Sequence, residues 1–597
     1  MLFGAVFRGR FDKWLAWARL TAVQHVCRKI PRPACYDYWI NKQSYRPPPM
    51  LPPHRYYYLH NFQRALAWVC DRYADLLDED DCRFLADFAA LPQPSRALMV
   101  RMLMRRGPWF RASRLVYDEI PAIEEAAGPL EALGWLDAQA PMSLDELFAL
   151  LTKPELCRVF ASHAAARPGV RKADLLELLR AGLPDARPYG VWHPDSAEAV
   201  WRLMVAERCE RLRLMFFGNL HQDWSEFVLA DLGVFQYETV PFDAASRAFQ
   251  TRADVDCYLA LHACRRALDE GAAVDELLRA AEDCASGNAW LEKRRAKVLL
   301  RIGQACERAQ DWESAQRVYA FCDYPGARHR RIRVYERMQR FEDAMALALQ
   351  AGGAPESEEE SQRVARMMPR LRRGLGQGAA ARVAAPALPR TELALARPAQ
   401  PSSVEYVTRD HLHQDDAPVH YVENALINSL FGLLCWPAVF APLPGAFFHP
   451  FQRGPADLES PDFHARRHAH FEACLSQLET PAYRDVILQR YADKAGVQSP
   501  FVFWGALSES LLSQALDCLP AAHLKLFFAR LLRDVKGNRT GLPDLVRFWP
   551  AERRYELIEV KGPGDKLQDN QIRWLQYCVA HGMPVRVCHV SWVQEAT

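Results

Sequence analysis

Apolar positions recur at helical spacing along most of this chain and switch to strict alternation only near its C-terminal end. In "NFQRALAWVCDRYADLL", Phe62, Leu66, Val69, Tyr73 and Leu76 fall on one stripe. That predicts an amphipathic helix within a helical stretch from about Arg55 to Ile120. Ser143-x-x-Glu146 and Thr152-x-x-Glu155 are capping boxes, in which hydroxyl and carboxylate satisfy backbone N–H groups reciprocally, so each starts a short helix. After a Pro-Gly turn, "RKADLLELLR" predicts a third. From about Asp254 to Ala351 the pattern is helical again and contains an echo: "QDWESA" (Gln310 to Ala315) returns as "QRFEDA" (Gln339 to Ala344) 29 residues later. Stacked helix hairpins of the tetratricopeptide-like kind are expected there. Residues 352–402, rich in Gly, Ala, Pro, Ser, Glu and Arg, have the composition of a linker or mobile segment.

The period then changes. "LVRFW" (Leu545 to Trp549) predicts a strand, "PAERR" a turn and "YELIEVK" (Tyr555 to Lys561) a second strand. Asp565-x-x-Gln568 is expected to cap the next helix, Gly582 to end it, and "PVRVCHVSWV" to return as a strand, which makes a βαβ unit appended to a hairpin.

A length of 597 residues implies three to five domains. Net charge is +2 and the pI about 7.9, so a polyanionic partner must meet local basic patches rather than a globally basic surface. One candidate patch is "RMLMRRGPWFRASR", where Arg101, Arg105, Arg106, Arg111 and Arg114 flank Trp109 and Phe110. That mixture suits phosphate contact with base stacking, or else a helix with an aromatic core face and a solvated Arg face. The capped helices of residues 143–190 resemble a SAP module, a small DNA-binding fold, with Lys153, Arg158, Arg171 and Lys172 as phosphate contacts. "RHRRIRVYERMQR", with Arg330 and Arg331 at its centre, carries too much charge for a core helix and is either a solvated or a DNA-facing surface.

The 16 cysteines form no CxxC pair, the pattern of reduced thiols, and no apolar run of 18 residues predicts a membrane span. The basic amphipathic start, "MLFGAVFRGRFDKWLAWARL", reads as a surface helix or an over-extended start, and the chain is expected in the cytoplasm. The absence of HExxH, P-loop and GxSxG motifs argues against protease, NTPase and GxSxG-type hydrolase readings. His411, His413, Asp415 and Asp416 lack zincin spacing and read as a solvated loop, and His464, His468 and His470 as an exposed helix.

The chemistry concentrates in the hairpin. Alternation puts Tyr555, Leu557, Glu559 and Lys561 on one strand face, with Glu559 and Lys561 about 7 Å apart by strand rise. Pairing would bring Asp544, 15 residues before Glu559, to the same end. Converging carboxylates are hard oxygen ligands suited to one or two Mg²⁺ or Mn²⁺ ions, and a neighbouring ammonium can hold or deprotonate a water attacking a phosphodiester. The alternative is a buried Glu–Lys ion pair beside an Asp that caps a turn.

At these residues, "GLPDL…ELIEVKGPGDKLQDNQIRWL" resembles the PD-(D/E)xK nucleases of the VRR-NUC type. The order of segments over most of the chain resembles the bacterial Fanconi-associated nucleases. The resemblance implies a mostly α-helical multidomain protein ending in an α/β nuclease domain. The domains would be 1–142, helical and DNA-binding; 143–190, SAP-like; 191–351, TPR-like; 352–402, linker; and 403–597, nuclease. It implies a catalytic Glu on a helix opening the nuclease domain, which "YVENALINSLFGLLCW" offers as Glu423. Glu423, Asp544, Glu559 and the Val560 carbonyl would bind metal, Lys561 would handle the water, and Gln571 would orient it or the scissile strand. Gln452 of "HPFQ" would be a supporting or substrate contact, with Lys536 and Arg539 near the site. The implied activity is 5′-flap endonuclease and 5′–3′ exonuclease action on branched DNA in interstrand-crosslink repair. No ubiquitin-binding finger is evident in the sequence. Two alternatives stay open: a less selective nuclease for Holliday junctions or single strands, and a DNA-binding scaffold without catalysis.

Overall fold

The computed structural model describes residues 55–593 apart from 162, 164–168, 181, 184, 223, 225–234, 379–386 and 399. The basic amphipathic start, the Pro of the SAP-like turn and the middle of the 352–402 stretch lie outside the described residues.

Helix Tyr57–Tyr73 buries Phe62, Leu66, Val69 and Tyr73, the stripe its spacing predicts, against helices Gln93–Leu103 and Ala206–Phe217. The arginine-rich segment after Leu103 departs from expectation. Instead of continuing as a helix it turns at Gly107 and forms strand β1 (Trp109–Arg111), which pairs with β3 (Val200–Leu203); β3 also pairs with β2 (Leu136–Asp137). The three SAP-like helices are Leu144–Leu150, Lys153–Val159 and Lys172–Arg180, and both capping boxes close as expected.

Successive helices from Arg252–Asp269 to Phe341–Gly353 pack on their neighbours as a repeat array. The sequence echo marks one turn used twice. Gln310 and Gln339 both take φ 60°, ending their helices in the left-handed region. Asp311 N then donates to Cys306 O at 2.9 Å, and Arg340 N to Tyr335 O at 3.0 Å. The expected linker is not one over two of its parts. Glu358–Gly374 is a further helix packed on Phe341–Gly353, because Val364, Met367 and Leu371 form a buried stripe. Arg390–Ala396 is strand β4, whose one buried side chain, Leu395, gives too little alternation to stand out from loop composition.

The C-terminal sheet has five strands in the order β4-β8-β7-β6-β5, with β5 Val419–Tyr421, β6 Leu545–Trp549, β7 Arg554–Lys561 and β8 Val585–Val593. β6 and β7 form the expected antiparallel hairpin, Leu545 opposite Ile558, and helix Asp569–Ala580 carries the chain to β8, parallel to β7. Tyr555 and Leu557 enter the large helical core on one face while Ile558 and Val560 enter a smaller cluster on the other. This alternation is what makes β7 buried along nearly its whole length.

One loop of the nuclease region leaves it for the N-terminal domain. Phe448 is 1% exposed within the N-terminal core, its carbonyl accepts from Trp68 Nε1 at 3.0 Å, and its ring fills the space beside Gly218. A Cβ on Gly218 (φ +65°) would lie 2.3 Å from that ring, so only glycine admits the plug. Among the described residues, no helix is long and apolar enough to cross a membrane. Phe448→Ala should remove about 3–5 kcal/mol of unfolding free energy by opening a cavity in the N-terminal core, measurable by denaturant unfolding.

Candidate active site

Three acidic residues collect where β5, β6 and β7 end together. Tyr421 is registered against Leu545, and Val422 N donates to Asp544 O at 2.8 Å, which sets Glu423 beside the start of β6. Glu423 lies in the turn before helix Leu426–Leu434 rather than on it, because the chain needs a left-handed residue, Asn424 (φ +53°), to pass from strand into helix. Across the hairpin, Asp544 Oδ2 accepts from Val560 N at 2.8 Å. Lys561 Nζ lies 2.7 Å from Glu559 Oε1 as an ion pair, without the alignment of a hydrogen bond, and Glu559 Oε2 is buried with no hydrogen-bond partner.

Burial decides the electrostatics here. Glu559 is 0%, Asp544 6% and Lys561 8% exposed. Desolvation raises the Asp544 carboxyl well above the ordinary carboxylate range; the charges of Glu559 and Glu423 add to this, and the Val560 N–H opposes it. Glu559 is raised by burial too, against the pull of Lys561. Lys561 is the cation among the charges that act most strongly on these two buried carboxylates, which leaves the pair short of positive charge.

Among the described residues, no three His, Cys, Asp or Glu side chains are drawn together closely enough to close on an ion by themselves. Three of the oxygens accept hydrogen bonds within the protein: Asp544 Oδ2 from Val560 N, Glu423 Oε2 from the Tyr421 hydroxyl and Glu423 Oε1 from Asn424 Nδ2. The donor set nevertheless fits a hard divalent cation: three carboxylates, one with an orphaned buried oxygen, of which the two buried ones face a single lysine.

Helix Asp569–Ala580 flanks the site. Its cap is Gln568, not Asp565: Gln571 Oε1 accepts from Gln568 N at 2.9 Å, while Asp565 Oδ2 accepts from Gly562 N at 3.0 Å and closes the preceding turn. Gln571 thus spends its amide oxygen on the helix start. Gly541 (φ +88°) lets the backbone before Leu542-Pro543-Asp544 lie against this helix; a Cβ there would sit 2.8 Å from the Asn570 carbonyl carbon.

The other expected contacts separate sharply. Gln452 is a loop brace: its Oε1 accepts from Phe448 N and His449 N, and its Nε2 donates to Ala446 O and Gly454 O, so no polar atom is left for substrate. Arg111 is clamped between Glu155 and Glu198 at 2.7 and 2.6 Å. Trp109 and Phe110 are core residues, which removes the stacking expectation; Arg105, bonded to the Arg114 carbonyl at 2.8 Å, and Arg106 remain exposed. In the SAP-like module Lys172 Nζ donates to Leu151 O at 2.8 Å, Arg171 pairs with Asp174 at 2.8 Å, Lys153 is half-buried and Arg158 is exposed. Arg330 is committed to Glu307 on a neighbouring helix at 3.0 Å, and Arg331 to the Tyr335 hydroxyl one turn on in its own helix at 2.9 Å, so neither guanidinium of the candidate pair stands unengaged. Arg539 donates to Pro500 O at 2.8 Å and lies over the Phe501 ring. His413 accepts from Val419 N at 3.1 Å and serves its own turn.

Sequence inspection missed a second basic group. Lys297, on helix Ala289–Arg308, feels the charges of Arg301 and Arg294 on its own helix and of exposed Lys536. Partial burial and the charges of Arg301, Arg294 and Lys536 push the Lys297 ammonium below the ordinary lysine range, with only Glu459 opposing. The residues come from elements some 240 positions apart by numbering (297 to 536), so no local pattern announces them.

A mixed sheet whose adjoining strands deliver Asp544, Glu559 and Lys561, followed by a capped helix, defines a PD-(D/E)xK-type nuclease domain, and the VRR-NUC domain family matches residues 479–592. The FAN1 HTH domain matches residues 56–137 and the Fanconi anemia-associated nuclease SAP domain residues 141–192. The Fanconi-associated nuclease 1 homolog of Pseudomonas aeruginosa is 56% identical over 540 residues, covering 90% of this chain and 96% of that protein. Human Fanconi-associated nuclease 1 is 23% identical over 652 residues, covering 89% of this chain and 62% of that protein. A crystal structure of paFAN1 bound to DNA with a 2-nucleotide 5′ flap and a gap superposes with a TM-score of 0.83 at 55% identity, covering 91% of this chain and all of the other. The chain belongs to the Fanconi-associated nuclease family. It is a nuclease, and its nuclease domain is of a type that depends on a divalent metal ion.

Without metal, Asp544 and Glu559 hold their protons above the ordinary carboxylate range, so from about pH 4 toward neutrality the folded chain binds more protons than the unfolded one. Their stabilising contribution is therefore present at acid pH and lost as pH rises through the raised values. Thermal unfolding of metal-stripped protein between about pH 5 and about pH 8 should show Glu559→Gln becoming steadily more stable relative to wild type, because the amide has no proton to lose.

Proposed function

We propose that this protein is a structure-specific DNA nuclease that cuts near 5′ flaps and branch points, with 5′–3′ exonuclease action, in the processing of DNA interstrand crosslinks in the bacterial cytoplasm. One observation carries the chemistry: two buried carboxylates, short of positive charge and set against a lysine, at the joined ends of β6 and β7. The substrate follows from the likeness to paFAN1, whose solved structures hold 5′-flap DNA.

In this reading Glu423, Asp544, Glu559 and the Val560 carbonyl hold one or two ions, Mg²⁺ or Mn²⁺. When bound, such an ion polarises the phosphodiester and lowers the pKa of the attacking water. Lys561, held at 2.7 Å from Glu559, orients or deprotonates that water and offsets charge gathering on phosphorus. Gln571 keeps its Nε2 for the water or scissile strand. Hydrolysis leaves 5′-phosphate and 3′-hydroxyl ends. Lys297, Arg301 and Lys536 receive backbone phosphates beside the site, and Arg105, Arg106 and Arg158 hold a duplex arm farther away.

The test is cleavage of a strand-labelled 5′-flap duplex in Mn²⁺, Mg²⁺ or EDTA, beside Holliday-junction and single-stranded controls. Metal-dependent cutting near the flap junction should fall by about 10²–10⁴-fold in Lys561→Ala, with flap affinity retained. Binding without cutting in any metal would make the protein a scaffold; equal cutting of the controls would make it a less selective nuclease. Lys297→Ala combined with Lys536→Ala should weaken flap binding and reduce the slope of log K against log salt by nearly 2.

A further inference from the structure

The acidic centre is assembled from segments far apart in the chain, and one side chain joins two of them. Asn424 Oδ1 accepts from Leu542 N, 118 residues away, at 3.1 Å. Leu542 leads directly into Pro543 and Asp544. From the same amide, Nδ2 donates to Glu423 Oε1 at 3.3 Å. The backbone of Asn424 is held in the left-handed region at φ +53°, which asparagine tolerates better than other residues with a side chain. Its carbonyl is fastened by Asn428 Nδ2 at 2.6 Å, and that same nitrogen donates to Arg539 O at 2.9 Å, on the approach to Asp544.

The second oxygen of Glu423 is addressed from the other side. Tyr421 OH donates to Glu423 Oε2. The Tyr421 backbone is registered against Leu545 in the sheet, and its ring lies 5.1 Å from that of Tyr406 on helix Val404–Leu412. Both carboxylate oxygens therefore meet a donor whose own position is fixed by a strand or by the segment carrying Asp544.

We propose that Tyr421 and Asn424 are the positioning residues of the metal centre: they hold the Glu423 carboxylate within reach of the ion that Asp544 and Glu559 bind, and Asn424 does so by linking Glu423 to the backbone that carries Asp544. This rests on the reading of Glu423 as a ligand. Partners that hydrogen-bond a ligating carboxylate fix its orientation, and their loss commonly weakens metal binding by about 10–100-fold.

The test uses full-length, metal-stripped protein with Tyr421→Phe, which removes only the hydroxyl, Asn424→Gly, which keeps the positive φ and removes the amide, and Glu423→Gln. Mn²⁺ binding is measured by calorimetry without DNA, and flap cleavage is followed against Mn²⁺ concentration. Tyr421→Phe and Asn424→Gly should each raise the Mn²⁺ dissociation constant and the half-saturating Mn²⁺ by about 10–100-fold. Cleavage at saturating Mn²⁺ should stay close to wild type, and flap binding in EDTA should be unchanged. If Glu423→Gln weakens Mn²⁺ binding while Tyr421→Phe leaves it intact, the positioning inference is overturned and the metal centre stands. If Glu423→Gln itself leaves Mn²⁺ binding intact, the ligand reading fails first. Should Asn424→Gly lose its thermal transition, Tyr421→Phe decides alone.

Discussion

The nuclease end of the molecule depends on the hydrogen bond from Val560 N–H to Asp544 Oδ2 across the β6–β7 pair. It anchors a carboxylate at a depth where Glu559 is fully buried, and it leaves two acids sharing one ammonium. Burying charge without full compensation opposes folding, and a replacement of similar shape without charge would be more stable. The surrounding core tolerates the arrangement because Tyr555 and Leu557 on one face of β7, and Ile558 and Val560 on the other, are packed on both sides. What remains is a local deficit of positive charge, which is the property a metal-dependent hydrolase needs at that point.

The helical part is tied to this centre by contacts of different kinds. Exposed Arg366 and Asp569 meet at 2.6 Å at the start of the Gln571 helix, a pair that contributes about 0–1 kcal/mol in water. Deeper in, Arg530 is 3% exposed, bonds Glu358 of the last repeat helix, and lies over the rings of Trp574 and Tyr577 at 4.7 and 4.4 Å. Arg530 therefore links the end of the repeat array to the interior of the helix that flanks the buried carboxylates.

The hairpin, the helix after it, the SAP-like capping boxes and the repeated turn were legible because each rests on local rules: alternation, reciprocal capping and turn geometry. Gln310 and Gln339 even share one backbone angle. The roles of individual arginines were not legible. Arg111 and Arg330 look in sequence like Arg105 and Arg106, and what distinguishes them is a carboxylate supplied by a distant element. Gln452 misled for the same reason, since its four backbone partners appear only once the loop is folded. Strand β4 was lost because its alternation is shallow, with every second residue only half-buried until Leu395. Asn424 carried a faint signal, an asparagine between a strand-like and a helical run, but its importance lies in Leu542, which no local pattern reveals.

The Phe448 plug has a consequence for how the chain matures on the ribosome. The remainder of the N-terminal core is drawn from residues up to Leu291, yet its aromatic centre includes a residue that follows 157 positions later (448 minus 291). At synthesis rates of about 5–20 residues per second, that delay is roughly 8–30 s. During this interval the emerging domain has every helix it needs but an open hydrophobic slot beside Gly218 and Trp290. Completion of the N-terminal core is thereby made contingent on arrival of a segment of the nuclease region.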